Sequence, residues 1–274
     1  MKINVVYPVK FANVFKEWSK AIADCLRILD HEVNIQNSIN FDSCDVEIIQ
    51  CPIIFEKFEK KHYKKYVMVQ GEQFPTFQCS SKWQMDKWKR ISSFLNLYDV
   101  VWDTYQPLHK HLYEGIIPSI HYKMGYHTLF DKFKDTKQKI NTSFFGTMND
   151  RRNEICKKIG NVTVNQYVMD QERDDFINQS KINLNVHYSE SKLLQTLRIL
   201  YCGCSKGFII SEDFIGDDDL RDQMVNVSAE ELPGTVQYFL ENEDKRKLLR
   251  ESLYEYLRTD RTMLQGIKHC IENI

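Results

Sequence analysis

The hydrophobic positions of this chain alternate between two periods. Short apolar runs with the spacing of strands are separated by longer stretches whose apolar residues recur every three or four positions. In the first half, Ile3 to Tyr7 predicts a strand, and Phe15 to Leu29 a helix with Trp18, Ile22, Leu26 and Leu29 on one face. Strands are expected at Glu32 to Gln36, Val46 to Cys51, Tyr66 to Gln70 and Val100 to Trp102. Helices are expected near Ile53 to Lys61, over Lys82 to Phe94, and from Pro107 to Glu114, where proline suits a first turn. The second half restarts with strands at Thr142 to Phe145 and Val162 to Asn165, and helices over Arg151 to Lys158 and about Glu172 to Gln179. Next comes a strand carrying Ile182, Leu184 and Val186. A helix with Leu193, Leu194, Leu197 and Leu200 follows and runs to Gly203, then a buried strand at Phe208 to Ile210. Val225 to Val227 and a Ser228 capping box precede the last helices, Glu243 to Leu257 and Met263 to Ile271.

Strands alternating with helices predict parallel, doubly wound sheets. The run from Asp131 to Lys139 has one apolar residue in nine and reads as a linker. The expectation is therefore an α/β chain of two Rossmann-like domains, residues 1–130 and 141–274 around a linker at 131–140, with the final helices returning to the first. A length of 274 residues suits two domains of roughly 130.

A net charge of −1 gives no global field to recruit nucleic acid or a membrane surface. No apolar run reaches ~18 residues, and the amino terminus reads as a strand rather than a signal peptide. Cys25, Cys51 and Cys156 sit in apolar patterns as buried thiols, and Cys202 and Cys204 are too close for a zinc knuckle. A reduced, cytoplasmic protein is expected.

The chemistry concentrates where strands end. Gly146-Thr-Met-Asn149-Asp-Arg151-Arg152 joins a strand to a helix. A glycine there permits close approach, the helix offers unpaired N–H groups, and arginines add fixed positive charge, which together suit a nucleotide diphosphate. An ordinary strand-helix turn with solvated arginines has the same pattern, and the segment is neither a Walker loop nor a G-x-G-x-x-G fingerprint. Further on, His187, Ser189, Glu190 and Lys192 follow one strand, Arg198 lies on the next helix, and Ser211, Glu212 and Asp213 follow the next strand. Open α/β sheets bind ligands at such carboxyl ends. Glu72, in Gly71-Glu-Gln73 behind a buried strand, is the leading candidate general base, with Asp103 and His127 as alternatives. His109 and His111 are two apart and fall on different helix faces, so no metal pair is expected. Lys57 to Lys65 and Lys82 to Arg90 interleave basic and aromatic residues, a pattern shared by nucleic-acid binding and by amphipathic surface helices; the latter is favoured.

The order NLNVHYSES…LLQTLRILYCG…FIISED resembles the donor-binding half of GT-B glycosyltransferases. It is similar in particular to a single-chain, family-1-like group related to the CgeB proteins. YVMVQGEQF, YDVVWDTYQPLHKHL with the later MGY, and SFFGTMNDRRNEIC fit the same pattern in the same order. The resemblance implies two Rossmann-like domains facing across a cleft and transfer of a sugar from a nucleotide-diphosphate donor to a hydroxyl acceptor. That acceptor would be a glycan or another hydroxyl compound, with a modified DNA base a less favoured option. It implies no bound metal and no cofactor beyond the donor. Gly146, Asn149, Arg151, Arg152, His187, Glu190, Lys192, Arg198 and Glu212 would line the donor site. The chain departs from the retaining E-x7-E pattern: Arg198 stands eight residues after Glu190, and Tyr201 occupies a position that often carries glutamate. A non-catalytic nucleotide- or sugar-binding protein and a nucleotide-sugar epimerase-like enzyme remain alternatives on this reading.

Overall fold

β-Branched and aromatic residues at Lys2–Val6 (β1), Glu32–Gln36 (β2), Val46–Gln50 (β3), Lys65–Gln70 (β4), Val100–Asp103 (β5) and Ser119–His121 (β6) build one six-stranded sheet. The computed structural model describes residues 1–39, 44–50, 52–77 and 81–274. The strands run parallel in the order β2-β1-β3-β4-β5-β6. Helices Ala12–Ile28 (α1), Lys82–Ser92 (α2) and Gln106–Tyr113 (α3) connect them. A Ser81–Gln84 capping box starts α2, each side chain bonding the other's backbone N–H. The centre of the sheet is apolar on both faces: Ile3, Val5, Ile48, Val67 and Val101 are fully buried.

The second sheet comprises Ile140–Phe145 (β7), Val162–Asn165 (β8), Ser180–Asn185 (β9), Ile209–Glu212 (β10) and Val225–Val227 (β11). Its order is β11-β10-β9-β7-β8, again parallel. The intervening helices are Asp150–Ile159 (α4), Asp170–Asn178 (α5), Thr196–Cys204 (α6), Leu232–Glu241 (α7) and Glu243–Thr259 (α8). Phe144, Ile182, Leu184, Val186 and Ile210 form its core with Leu232 and Val236 of α7. The last helix, Met263–Ile271 (α9), packs on α1.

The chain divides into residues 1–124 with 263–274, and residues 125–262. The charged run from Asp131 to Lys139 lies within the second unit. It has no regular structure of its own, and its backbone is tied down: Lys134 N donates to Asn178 Oδ1 at 2.8 Å, and Asn178 Nδ2 donates to Lys132 O at 2.8 Å.

Three local expectations change. The stretch after Pro52–Ile54, a single 3-10 turn, is not helical, because Phe55 and Phe58 pack onto the first core from irregular backbone. Leu193 and Leu194 precede α6 rather than belong to it: Lys192 has φ +49°, which the helix cannot continue through, and both leucines are buried from irregular backbone. Ser119–His121 forms an edge strand too short and too polar to stand out by alternation. Cys25 and Cys156 are buried, whereas Cys51 lies outside the described residues.

Candidate functional site

In the second sheet the strand order reverses direction between β7 and β9, which makes their carboxyl ends the topological switch point. Gly146 leaves β7 with φ +127°, a conformation that side chains rarely adopt. Asn149 then caps α4: its Oδ1 accepts from Arg152 N at 2.9 Å, and its Nδ2 donates to Tyr188 O at 2.6 Å. One side chain thus fixes both the helix start and the loop after β9.

Two guanidinium groups meet here over one ring. Arg152, 3% exposed, donates through Nε and Nη2 to Val186 O at 3.1 and 2.8 Å and through Nη1 to Thr147 O at 2.6 Å. Arg198 donates through Nε to Phe145 O at 3.1 Å and through Nη1 to Asn185 Oδ1 at 2.8 Å. Both lie about 5 Å from the Phe144 ring centre, at 5.0 and 4.9 Å. Burial, reinforced by Arg198, pushes the Arg152 guanidinium down to about 9. Among the described residues Arg152 has no carboxylate within 4.0 Å; its partners are carbonyl oxygens. Two like charges beside a helix amino terminus thus form a positive locus that an anion would relieve.

A second network adjoins the first. Glu212, 1% exposed at the end of β10, accepts from Arg151 through both oxygens and from His187 N at 3.0 Å. Arg151 also donates to His187 O at 3.0 Å and to Glu190 at 2.7 Å. Burial alone would raise the Glu212 carboxyl, but the Arg151 hydrogen bonds and His187 hold it below its ordinary value. Burial likewise lowers His187, whose Nε2 lies 2.9 Å from Asp213 O and whose Nδ1 is buried without a partner. With Nε2 donating to that carbonyl, Nδ1 is the free acceptor of a neutral ring.

The structure therefore joins Gly146, Asn149, Arg151, Arg152, His187, Glu190, Arg198 and Glu212 in one connected site. Lys192 sits on the adjoining turn, its carbonyl accepting from Ile215 N at 2.9 Å. Asn185 and Thr147 belong to the site and were not singled out by sequence; Asn185 is a strand residue whose side chain reads as ordinary until Arg198 and Ser211 are seen on it.

The remaining candidates lie elsewhere. Glu72 follows β4 in the first unit, partly exposed and paired with Lys87, which in turn stands over Trp83. Asp103, completely buried at the end of β5, is consumed by structure: it accepts from Tyr105 N at 2.7 Å and Tyr113 OH at 2.6 Å, and meets His109 Nδ1 at 2.9 Å. It anchors α3 and is buried away from the surface. His127 packs against Phe130 in the second unit, its Nδ1 accepting from Leu129 N at 3.2 Å. Buried Arg261 of the same unit pairs with Asp218 and Asp219 and so holds the acidic segment Asp217-Asp218-Asp219 in place. Among the described residues no group of three or more His, Cys, Asp or Glu side chains is arranged to hold a metal ion. Nor is any helix among them long and apolar enough to cross a membrane.

No known family matches the sequence, and no curated protein matches it. Solved structures do. An alpha-glucosyltransferase (AGT) in complex with UDP superposes with a TM-score of 0.67 at 11% identity, over 99% of each chain. Sucrose-phosphate synthase from Thermosynechococcus elongatus gives 0.60 at 8% identity, over 99% of this chain and 98% of that one. An alpha1,3-fucosyltransferase gives 0.53 at 15% identity, over 99% and 87%. At these identities the likeness establishes the fold, which is that of GT-B glycosyltransferases.

Proposed function

We propose that this protein is a glycosyltransferase that moves a sugar from a nucleotide-diphosphate donor to a hydroxyl acceptor. The observation that carries the reading is the pair Arg152 and Arg198 over Phe144, at the switch point of the second sheet and beside the amino terminus of α4. When the bond from the anomeric carbon to the diphosphate breaks, negative charge grows on the departing phosphate oxygens. Fixed guanidinium groups and helix N–H dipoles aimed at that point stabilise the charge without reorganising. Arg152 and Arg198 take that role, joined by Lys192 from the adjoining turn. Glu190, whose side chain is largely exposed, would accept hydrogen bonds from a ribose diol. Glu212 holds Arg151 and the His187 backbone and so shapes the pocket wall.

This division of labour supports a metal-independent reaction, because positive charge for the leaving group comes from the chain itself. The first unit would supply the acceptor side, with Glu72 as general base. The solved structures with this fold include UDP complexes, a GDP-fucose complex and complexes with DNA, which supports a nucleotide sugar as donor. Glycans or other hydroxyl compounds are the favoured acceptors here, since the net charge of −1 gives no general attraction to DNA. The order of the sequence motifs supports a kinship with the CgeB-related group, and the buried free cysteines among the described residues support a cytoplasmic setting.

The test is thermal denaturation with UDP or GDP in buffer containing EDTA. A ligand that binds only the folded chain raises Tm by mass action. One of the two nucleotides should raise Tm, and Arg198→Ala should remove most of the shift. An equal shift in that variant would take Arg198 out of the site.

A further inference from the structure

The second unit carries a cationic cavity at the end of the sheet opposite the switch-point site. Its volume is about 360 Å³. It opens where β9 begins: Lys181 lies ~13 Å along the strand from Asn185 of the site above, at ~3.3 Å per residue. Lys206 comes from the turn that ends α6, and Arg246, Lys247 and Arg250 from the first two turns of α8. Six cationic side chains line it against two carboxylates, so the lining carries a positive excess.

Some of that charge is compensated. Lys247 pairs with Glu243 at 2.6 Å, Lys206 with Glu251 at 2.7 Å, Lys134 with Asp175 at 2.8 Å, and Arg250 Nε with Glu251 at 3.5 Å. Other parts are not. Arg246 is 5% exposed, and its hydrogen bonds go to the carbonyls of Phe239 and Leu240. Among the described residues it has no carboxylate within 4.0 Å. Lys181 donates to the uncharged Asn141 Oδ1 at 2.7 Å. The amino terminus of α8 faces this side, and its cap residue Asn242 makes no side-chain bond to the helix N–H groups. A buried guanidinium held by carbonyl oxygens, a lysine held by an amide oxygen and an uncapped helix start converge on one small cavity.

We propose that this cavity is a binding site for a small, multiply charged phosphate-bearing anion, separate from the donor site and independent of the reading given there. Its enclosure by three helices and a strand suits a compact anion better than a nucleic-acid backbone, which follows an open groove. Bidentate contacts from Arg246 and Arg250, with point charge from Lys181 and Lys247, match phosphate oxygens.

The probe is tripolyphosphate, titrated calorimetrically at low salt into the full chain. Three proteins are compared: wild type, the Lys181→Ala/Lys247→Ala double variant and Arg198→Ala. Lys247 is exposed and Lys181 half-buried, so the double variant should fold, which its Tm confirms. Wild type should show a binding event at this cavity that is at least tenfold weaker in the double variant and that persists in Arg198→Ala, whatever binding at the other site that variant loses. No binding, or unchanged affinity in the double variant, would overturn the proposal. Loss confined to Arg198→Ala would place the anion in the other site and overturn it equally. A short duplex DNA competing at the same lysines with equal affinity would overturn the small-anion assignment.

Discussion

A Cβ atom built on Gly146 would stand 2.7 Å from Arg198 Nη2. The absence of a side chain at the end of β7 is thus what lets the guanidinium lie across the switch point. Gly146 also holds φ +127°, so an alanine meets both a contact and backbone strain. Gly146→Ala is expected to cost roughly 1 kcal/mol or more in stability and to displace Arg198. UDP or GDP affinity, read by calorimetry, should fall about tenfold, the loss of one charged hydrogen bond. Wild-type affinity in a folded Gly146→Ala protein would show that Arg198 does not depend on this approach.

The pH dependence follows from His187 and Glu212. Burial lowers His187 from its ordinary 6.5, and Glu212, held by Arg151, is lowered from 4.5. A depressed folded-state value means that the unfolded chain takes up the proton first as the pH falls. Stability from each group is complete above its unfolded value and is lost as the pH drops through the folded value. Wild-type Tm should therefore decline from about pH 6.5 downward, and more steeply still below about pH 4.5. His187→Gln keeps a donor for Asp213 O and has no ring to protonate, so the upper part of the decline should flatten. Identical slopes for wild type and His187→Gln between pH 7 and 5 would assign that decline to other groups.

Glu72→Gln is nearly isosteric and keeps a hydrogen-bonding partner for its surroundings. Transfer should drop by roughly 10² or more, the usual contribution of a positioned general base. Donor affinity should stay at the wild-type value, because Glu72 belongs to the first unit. Transfer at the wild-type rate would exclude Glu72 as the base. Weaker donor binding with normal maximal turnover would make it a sugar ligand instead.

Much of the fold is legible because parallel strands buried on both faces leave plain apolar signatures, as at Tyr66 to Gln70 and Phe208 to Ile210. The helix placed over Leu193 and Leu194 shows the limit of periodicity. Apolar residues at helical spacing also bury from irregular backbone, and only the positive φ at Lys192 distinguishes the two. In the site, the arginines announced themselves by type and by position after strands. Asp103 looked like Glu72 by the same criteria, and only its three partners, Tyr105, His109 and Tyr113, reveal a structural anchor. Asn185 failed to announce itself for the opposite reason: its role depends on a side chain thirteen residues later.

The central claim is sugar transfer supported by Arg152 and Arg198, and one assay addresses it directly. The purified chain is incubated with a panel of UDP- and GDP-sugars, with and without glycan, small hydroxyl and hydroxymethylated DNA acceptors, in EDTA. Released nucleoside diphosphate is measured beside the mass of the acceptor. The account predicts release of one nucleotide together with an acceptor heavier by one sugar, reduced at least a hundredfold in Arg198→Ala. Nucleotide binding without release from any donor, or release that is indifferent to Arg198, would contradict it.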